Sequence, residues 1–313
     1  TYTRDYRRMF VQYRSGHWKP VKASVNGREL KKFSEMKATE DVQGNMLAFN
    51  TPLKVSDGTP LHIKVAFSDG GTCETMVRAF SGIVLDAFGL NDPKQRKRLS
   101  LDDALALHAV GGDVACDDAK AKRIGDSVPD VVAERMADLD APSPQARYSI
   151  VHYCVTASPQ SRSTYVPITD AVIISPFALS QWTDVSRLID RDESKNELGA
   201  QSARPRPWLW IPDVYKMKPR YLEPAELDVM TWLALTKGCK GIKYYMADDP
   251  KHRGFMSCPS LDSAIVDLDK EIRKQEDRLT PLCFVSEETI GNREKGVRMY
   301  TAWAGDRGQL VLL

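Results

Sequence analysis

The chain has 313 residues, and its 44 basic and 42 acidic side chains leave a formal net charge of +2. So even a balance excludes a global field that would gather nucleic acid or an acidic surface, and no run approaches the roughly 20 apolar residues of a membrane span. The length allows a sizeable core in two domains, because single cores rarely grow far beyond roughly 250 residues.

The first residues, TYTRDYRRMF, have neither an initiator Met nor an apolar signal segment, so a processed or truncated start is expected. Residues 2–89 read as all-β. Asn26-Gly27 is a strong hairpin signal between the alternating Val21, Ala23, Val25 and Leu30. Leu61, Ile63, Val65 and Phe67 alternate in the same way before the turn residues Asp69-Gly70-Gly71. Short strands at this spacing predict an antiparallel β-sandwich over residues 1–90; the apolar run at 80–88, in which Asp86 stands near the end, either closes it or opens the next domain, and closure is the favoured reading. Residues 91–98 are polar and proline-containing and are expected to be a linker. Their basic cluster, Lys94, Arg96, Lys97 and Arg98, reads as a solvated helix end.

Beyond residue 98 the pattern changes to helix–strand alternation. Strands are expected at 109–116, 148–154, 170–177, 208–213 and 241–246, and their continuous apolar character is what parallel strands covered on both faces require. Asp117 and Asp118 follow the first of them and Asp213 the fourth. Pro224 at a first helical position, with Leu227, Met230, Leu233 and Ala234 at helical spacing and Gly238 as a left-handed stop, predicts a helix before the last. Leu261, Ile265, Leu268 and Ile272 line one face of a final amphipathic helix. Residues 281–285 then return to β structure, and 298–313 look like the first hairpin of a further β module that stops inside an apolar strand. Six cysteines without a C-x-x-C pair argue against a zinc site and against a disulfide-dense scaffold, although one or two disulfides stay open.

The segments DAVIISPF, PRPWLWIP, EPAELDVMTWLALTKGCKGIKYY and TPLCFVSEE, in this order, resemble the C-terminal half of glycosidase-type TIM barrels over residues 111–288. Such barrels occur in large bacterial glycoside hydrolase-like proteins with β-sandwich modules on either side. The resemblance implies an α/β chain with a β-sandwich at 1–90, a portion of a (β/α)8 barrel at 91–288 and the start of a C-terminal β module at 289–313. It implies a carbohydrate partner and a secreted or cell-surface setting, with no cofactor and no metal. Residues 99–288 fall short of the roughly 250 residues of a complete barrel. Early strand–helix units are therefore expected to be missing, the alternative being a degenerate barrel.

Glycoside hydrolysis needs two carboxyl groups flanking the scissile bond. The resemblance places them at the ends of the fourth and seventh strands, where Asp117 or Asp118 and Asp213 stand; the family usually has glutamate at the first. Each aspartate has a plainer use as a helix cap. Asp248 and Asp249 suit sugar hydroxyls or a calcium ion, or simple turn chemistry before Pro250. Trp182 and Tyr245 are the aromatic candidates for stacking on a sugar ring; Trp208, Trp210, Trp232 and Tyr244 suit the core better, and His152 reads as a hydrogen-bonded core residue. Dinucleotide, nucleotide, serine-hydrolase and zinc-protease motifs are absent from the sequence. Two functions survive: a hydrolase of polysaccharide or oligosaccharide, and a catalytically inactive barrel that binds carbohydrate or builds the cell surface.

Overall fold

A computed structural model of the chain describes residues 8–13, 19–31, 33–36, 45–50, 60–78, 82–102, 108–109, 149–154, 171–175, 208–216, 220–236, 238–248, 253–280, 283–290, 297–303 and 309–312. The chain divides into two compact units. One comprises Thr1–Gly82, Thr236–Gly238 and Asp277–Leu313, the other Ile83–Leu235 and Cys239–Glu276.

The first unit holds three antiparallel sheets. Strands β1 (Arg8–Tyr13), β4 (Phe33–Met36) and β5 (Asn45–Asn50) pair in the order β1-β5-β4. Strands β2 (Pro20–Val25), β3 (Arg28–Glu29), β6 (Pro60–Phe67) and β7 (Thr72–Arg78) pair in the order β3-β2-β6-β7. Asn26 and Gly27, both at positive φ, make the β2–β3 hairpin. The Asn26 side chain also accepts the His62 N–H at 2.6 Å, so the turn residue ties β2 to β6. Alternation buries Leu61, Ile63, Val65 and Phe67 of β6 as expected. The third sheet is a meander of β14 (Cys283–Ile290), β15 (Val297–Trp303) and β16 (Gln309–Leu312). Residues 283–290 thus pair antiparallel within this C-terminal sheet, where the sequence pattern had grouped 281–285 with the barrel elements.

Among the described residues, the second unit carries six parallel strands: β8 (Val84–Ala87), β9 (His108–Ala109), β10 (Ser149–Cys154), β11 (Ala171–Ser175), β12 (Trp208–Trp210) and β13 (Gly241–Tyr244). Their order is β8-β13-β12-β11-β10-β9, so from β9 to β13 sequence neighbours lie side by side, and the first strand pairs with the last. Pairing of β10 with β11 is parallel, as helix–strand alternation requires. The placement of β8 corrects the expectation that residues 80–88 close a sandwich: Val84–Ala87 lie in register with Gly241–Tyr244. An apolar run bounded by glycines fits either sheet, and only its distant partner decides between them.

Helix α1 (Pro93–Arg98) stands where a linker was expected. Asp92 caps it by accepting the Lys94 N–H at 2.9 Å. Leu99 and the Arg96 side chain are buried against the unit. Helix α2 (Pro224–Thr236) opens with the Glu226 carboxylate reaching back to accept the Glu223 N–H at 2.8 Å, and this carboxylate is clamped by both Arg220 terminal nitrogens at 2.6 Å. It ends in a Schellman turn, with Gly238 at φ +84 and the Cys239 N–H donating to Ala234 O at 2.9 Å. Leu227, Met230, Leu233 and Ala234 are buried, as are Leu261, Ile265, Leu268 and Ile272 of helix α3 (Pro259–Leu279). Each such side chain contributes about 1.5–3 kcal/mol of burial.

Gly241 explains why first and last strands approach so closely. A Cβ there would lie 2.8 Å from Val84 Cβ and 2.9 Å from Leu209 Cδ2. Gly241→Ala is expected to cost about 1–3 kcal/mol through overpacking, read as a lower urea midpoint with an unchanged m-value.

Candidate functional site

The carboxyl ends of β8, β12 and β13 are laced into one surface by their backbones. Asp213, just past β12, forms an isolated parallel bridge with Tyr245, just past β13. The Tyr245 N–H donates to Pro212 O at 3.1 Å and the Val214 N–H to Tyr245 O at 2.8 Å. On the other side the Phe88 N–H donates to Tyr244 O and the Ala247 N–H to Phe88 O, each at 3.0 Å. The returning chain joins them through Lys216 N–H to Arg253 O at 2.8 Å and Phe255 N–H to Met246 O at 3.1 Å. Gly254 permits this return, since a Cβ would lie 2.2 Å from Ala247 O.

Period-two alternation then sorts the side chains. Lys243 is in register with Asp86 and Tyr245 with Asp213, and registered neighbours in a parallel sheet share a face. One face therefore carries Asp86, Phe88, Lys243, Tyr245 and Asp213, and the opposite face Leu85, Trp210, Ile242 and Tyr244.

Charge on the first face centres on Asp86, which is buried at 7% exposure. One of its oxygens pairs with Arg96 at 2.9 Å and the other with Lys243 at 3.0 Å. The Lys243 ammonium also lies 4.2 Å from the centre of the Phe88 ring. Arg96 is held in turn by Leu90 O at 3.2 Å and by Asp102 O. None of this trio was a sequence candidate. Arg96 was read as part of a solvated helix end, yet it is a buried partner of Asp86; Arg98 of the same cluster does sit at the surface, paired with Asp262 at 2.7 Å. The signal that could have found the trio was an acid inside the apolar run GIVLDAF.

Asp213 is buried at 3% exposure, with both oxygens shielded from solvent. Tyr215 and Tyr245 flank it in an edge-on pair with centroids 5.5 Å apart, and Phe88 meets Tyr245 edge-on at 5.2 Å. Burial first, and then the Asp213 charge and Tyr245, push the Tyr215 phenol up to about 12.

Of the sequence candidates, Asp213, Tyr245 and Asp248 lie together at the carboxyl ends of neighbouring strands, with Asp248 exposed three residues beyond Tyr245. Asp117, Asp118, Asp249 and Trp182 lie outside the described residues. Trp210 and Tyr244 are fully buried in the core. Trp232 is half-buried and donates to Asp228 on its own helix at 3.0 Å. Cys73, Cys239 and Cys258 form no disulfide among the described residues. No helix among the described residues is long and apolar enough to cross a membrane.

No protein-family model matches the chain, and no curated protein matches it. Among solved structures it is similar to the pyruvate kinase of Cryptosporidium parvum, with 10% identity and a TM-score of 0.31 over 81% of this chain. It is similar also to the β-glucuronidase of Bifidobacterium dentium, solved with coumarin-3-O-glucuronide, with 10% identity and a TM-score of 0.31 over 83% of this chain. The chain spans 47% of the first and 63% of the second.

Two outcomes follow from the buried charges. Asp86→Leu leaves Arg96 and Lys243 without their shared counter-ion and is expected to lose about 3–5 kcal/mol in urea unfolding; Lys243→Met, which leaves the Asp86–Arg96 pair, should lose less. The Tyr215 phenol is raised above its unfolded value of 10, so its contribution to stability is intact below pH 10 and is lost as pH rises towards about 12. Asp213→Asn removes the charge that opposes the phenolate. It should lower the Tyr215 pKa in an ultraviolet difference titration, with Tyr215→Phe assigning the signal.

Proposed function

We propose that the parallel sheet belongs to a glycosidase-type (β/α) barrel and that the chain hydrolyses glycosidic bonds of a polysaccharide or oligosaccharide at the carboxyl ends of its strands. The observation that carries this reading is the Asp213–Tyr245 bridge, which sets a carboxylate and an aromatic ring side by side at the ends of adjacent parallel strands. That end is where barrels assemble their sites. Parallel pairing of the first strand with the last supports this reading, because a barrel requires that contact; β8 and β9 stand at the two ends of the described strand order. β8 then takes the place of an opening barrel strand, so the barrel unit begins near Ile83 in this reading, flanked by the antiparallel β modules.

In this reading Asp213 is nucleophile or base, and Asp117 or Asp118 supplies the partner carboxyl. A separation of about 5–5.5 Å would make the enzyme retaining and about 6.5–9.5 Å inverting. Tyr245 and Trp182 stack on the sugar, and Asp248 and Asp249 bind its hydroxyls. One observation favours the second reading, an inactive carbohydrate-binding barrel: Asp213 is only 3% exposed, and a carboxylate so enclosed is poorly placed to meet a glycosidic bond.

The test compares the intact chain with Asp213→Asn on a panel of polysaccharides, with thermal melts to check folding. Loss of hydrolysis by roughly 10²–10⁴-fold at unchanged melting supports the assignment, and unchanged hydrolysis rejects it. Retention of polysaccharides without hydrolysis by the parent chain supports the binding reading.

A further inference from the structure

A second buried acid lies behind the strand that carries Tyr245. Asp269, midway along α3, has no solvent exposure. The Tyr244 hydroxyl, itself fully enclosed and edge-on to Phe255, donates to one of its oxygens at 2.5 Å. The other oxygen is sealed from solvent and makes no hydrogen bond among the described residues.

Among the described residues, the charged neighbours do not offer this acid a counter-ion of its own. Arg273, one turn further along α3, gives its guanidinium to Ser100 O at 3.0 and 3.1 Å and to Ile83 O at 2.7 Å. It is also shared between Asp102 at 3.0 Å and Glu276 at 2.8 Å. Asp102, in the segment after α1, faces Asp269 with a like charge. From β13 comes only the Tyr244 phenol. An ionised Asp269 would thus be a buried charge with one neutral donor and a cation already divided among other partners, which is the costly arrangement.

We propose that Asp269 is a neutral carboxylic acid at physiological pH, bonded to Tyr244 between helix α3 and strand β13, and that its ionisation, by burying a charge there, makes this contact a pH-sensitive point of the fold. Burial is the main cause that pushes the Asp269 carboxyl well above the usual carboxylate range; the Tyr244 hydrogen bond and the Arg273 charge oppose it, and Asp102 adds to it. Burial likewise raises the Tyr244 phenol, so Tyr244 stays a donor while Asp269 titrates. The folded value lies above the unfolded value of about 4. The neutral acid's contribution to stability is therefore intact below about pH 4 and is lost as pH rises through the folded value, because the cost of a buried charge outweighs the stronger hydrogen bond that an ionised acceptor makes with Tyr244. Tyr244 precedes Tyr245, so ionisation of Asp269 places an uncompensated charge directly behind the strand end that carries the Asp213 bridge. This inference does not depend on what the site binds.

Infrared spectroscopy of the intact chain tests it. A protonated-carboxyl C=O band should be present at pH 7, disappear at alkaline pH, and be missing in Asp269→Asn, which keeps an acceptor for Tyr244 without a titrating group. Thermal melts should fall with rising pH in the parent chain and stay flatter in Asp269→Asn. Tyr244→Phe removes the donor that favours the ionised form, so its band should persist to higher pH, a readout available even if the first variant fails to fold. No band in the parent chain at pH 7 overturns the proposal. So does a band that survives in Asp269→Asn, since it then belongs to another acid.

Discussion

The second unit hangs on the carboxylate of Asp86. It is the one group shared by the first strand, the last strand and the helix that follows the first. Its two oxygens take one cation each, Lys243 from β13 and Arg96 from α1, so the sheet's opening and closing strands are joined by charge as well as by backbone. Removing three charged groups from water is expensive, and interior ion pairs often add little net stability over apolar packing. What such a cluster does supply is register. A slip of β8 against β13 by one residue would turn Asp86 to the other face and strand two buried cations, a penalty no apolar pair would impose.

Strand β13 shows how alternation divides labour within five residues. Gly241 lets β8 and β12 close in; Lys243 and Tyr245 serve the face with Asp213; Ile242 and Tyr244 serve the face under helix α3. The same peptide therefore answers to two electrostatic environments. On one side a carboxylate is neutralised by cations, and on the other an acid is bonded to a phenol. Any change in the pleat at this strand is felt by both.

Features set by local chemistry were legible in the sequence. Pro224 and Gly238 delimit α2 through contacts within a few residues, and Asn26-Gly27 makes its hairpin by its own backbone preference. The apolar faces of α2 and α3 follow directly from spacing. Features set by distant partners were not legible. The run GIVLDAF has the composition of a buried strand in either kind of sheet, and its place beside β13 depends on residues far along the chain. Arg96 sits among Lys94, Lys97 and Arg98, and nothing local distinguishes the one that turns inward to Asp86. Asp213 could be placed at a strand end, but its burial among Tyr215, Tyr245 and Phe88 required three strand ends at once.

The pairing of first strand with last also sets a timetable. Val84–Ala87 must find residues about half the chain length away, a contact of high sequence separation that is slow to form in any refolding experiment. During synthesis, at roughly 5–20 residues per second, the strand leaves the ribosome on the order of ten seconds before its partner exists. Asp86 would spend that interval without Lys243. Arg96, only ten residues further on, emerges almost at once and can neutralise it within a local turn. The double counter-ion of the finished structure thus reads as a nascent-chain placeholder joined later by the partner that closes the sheet.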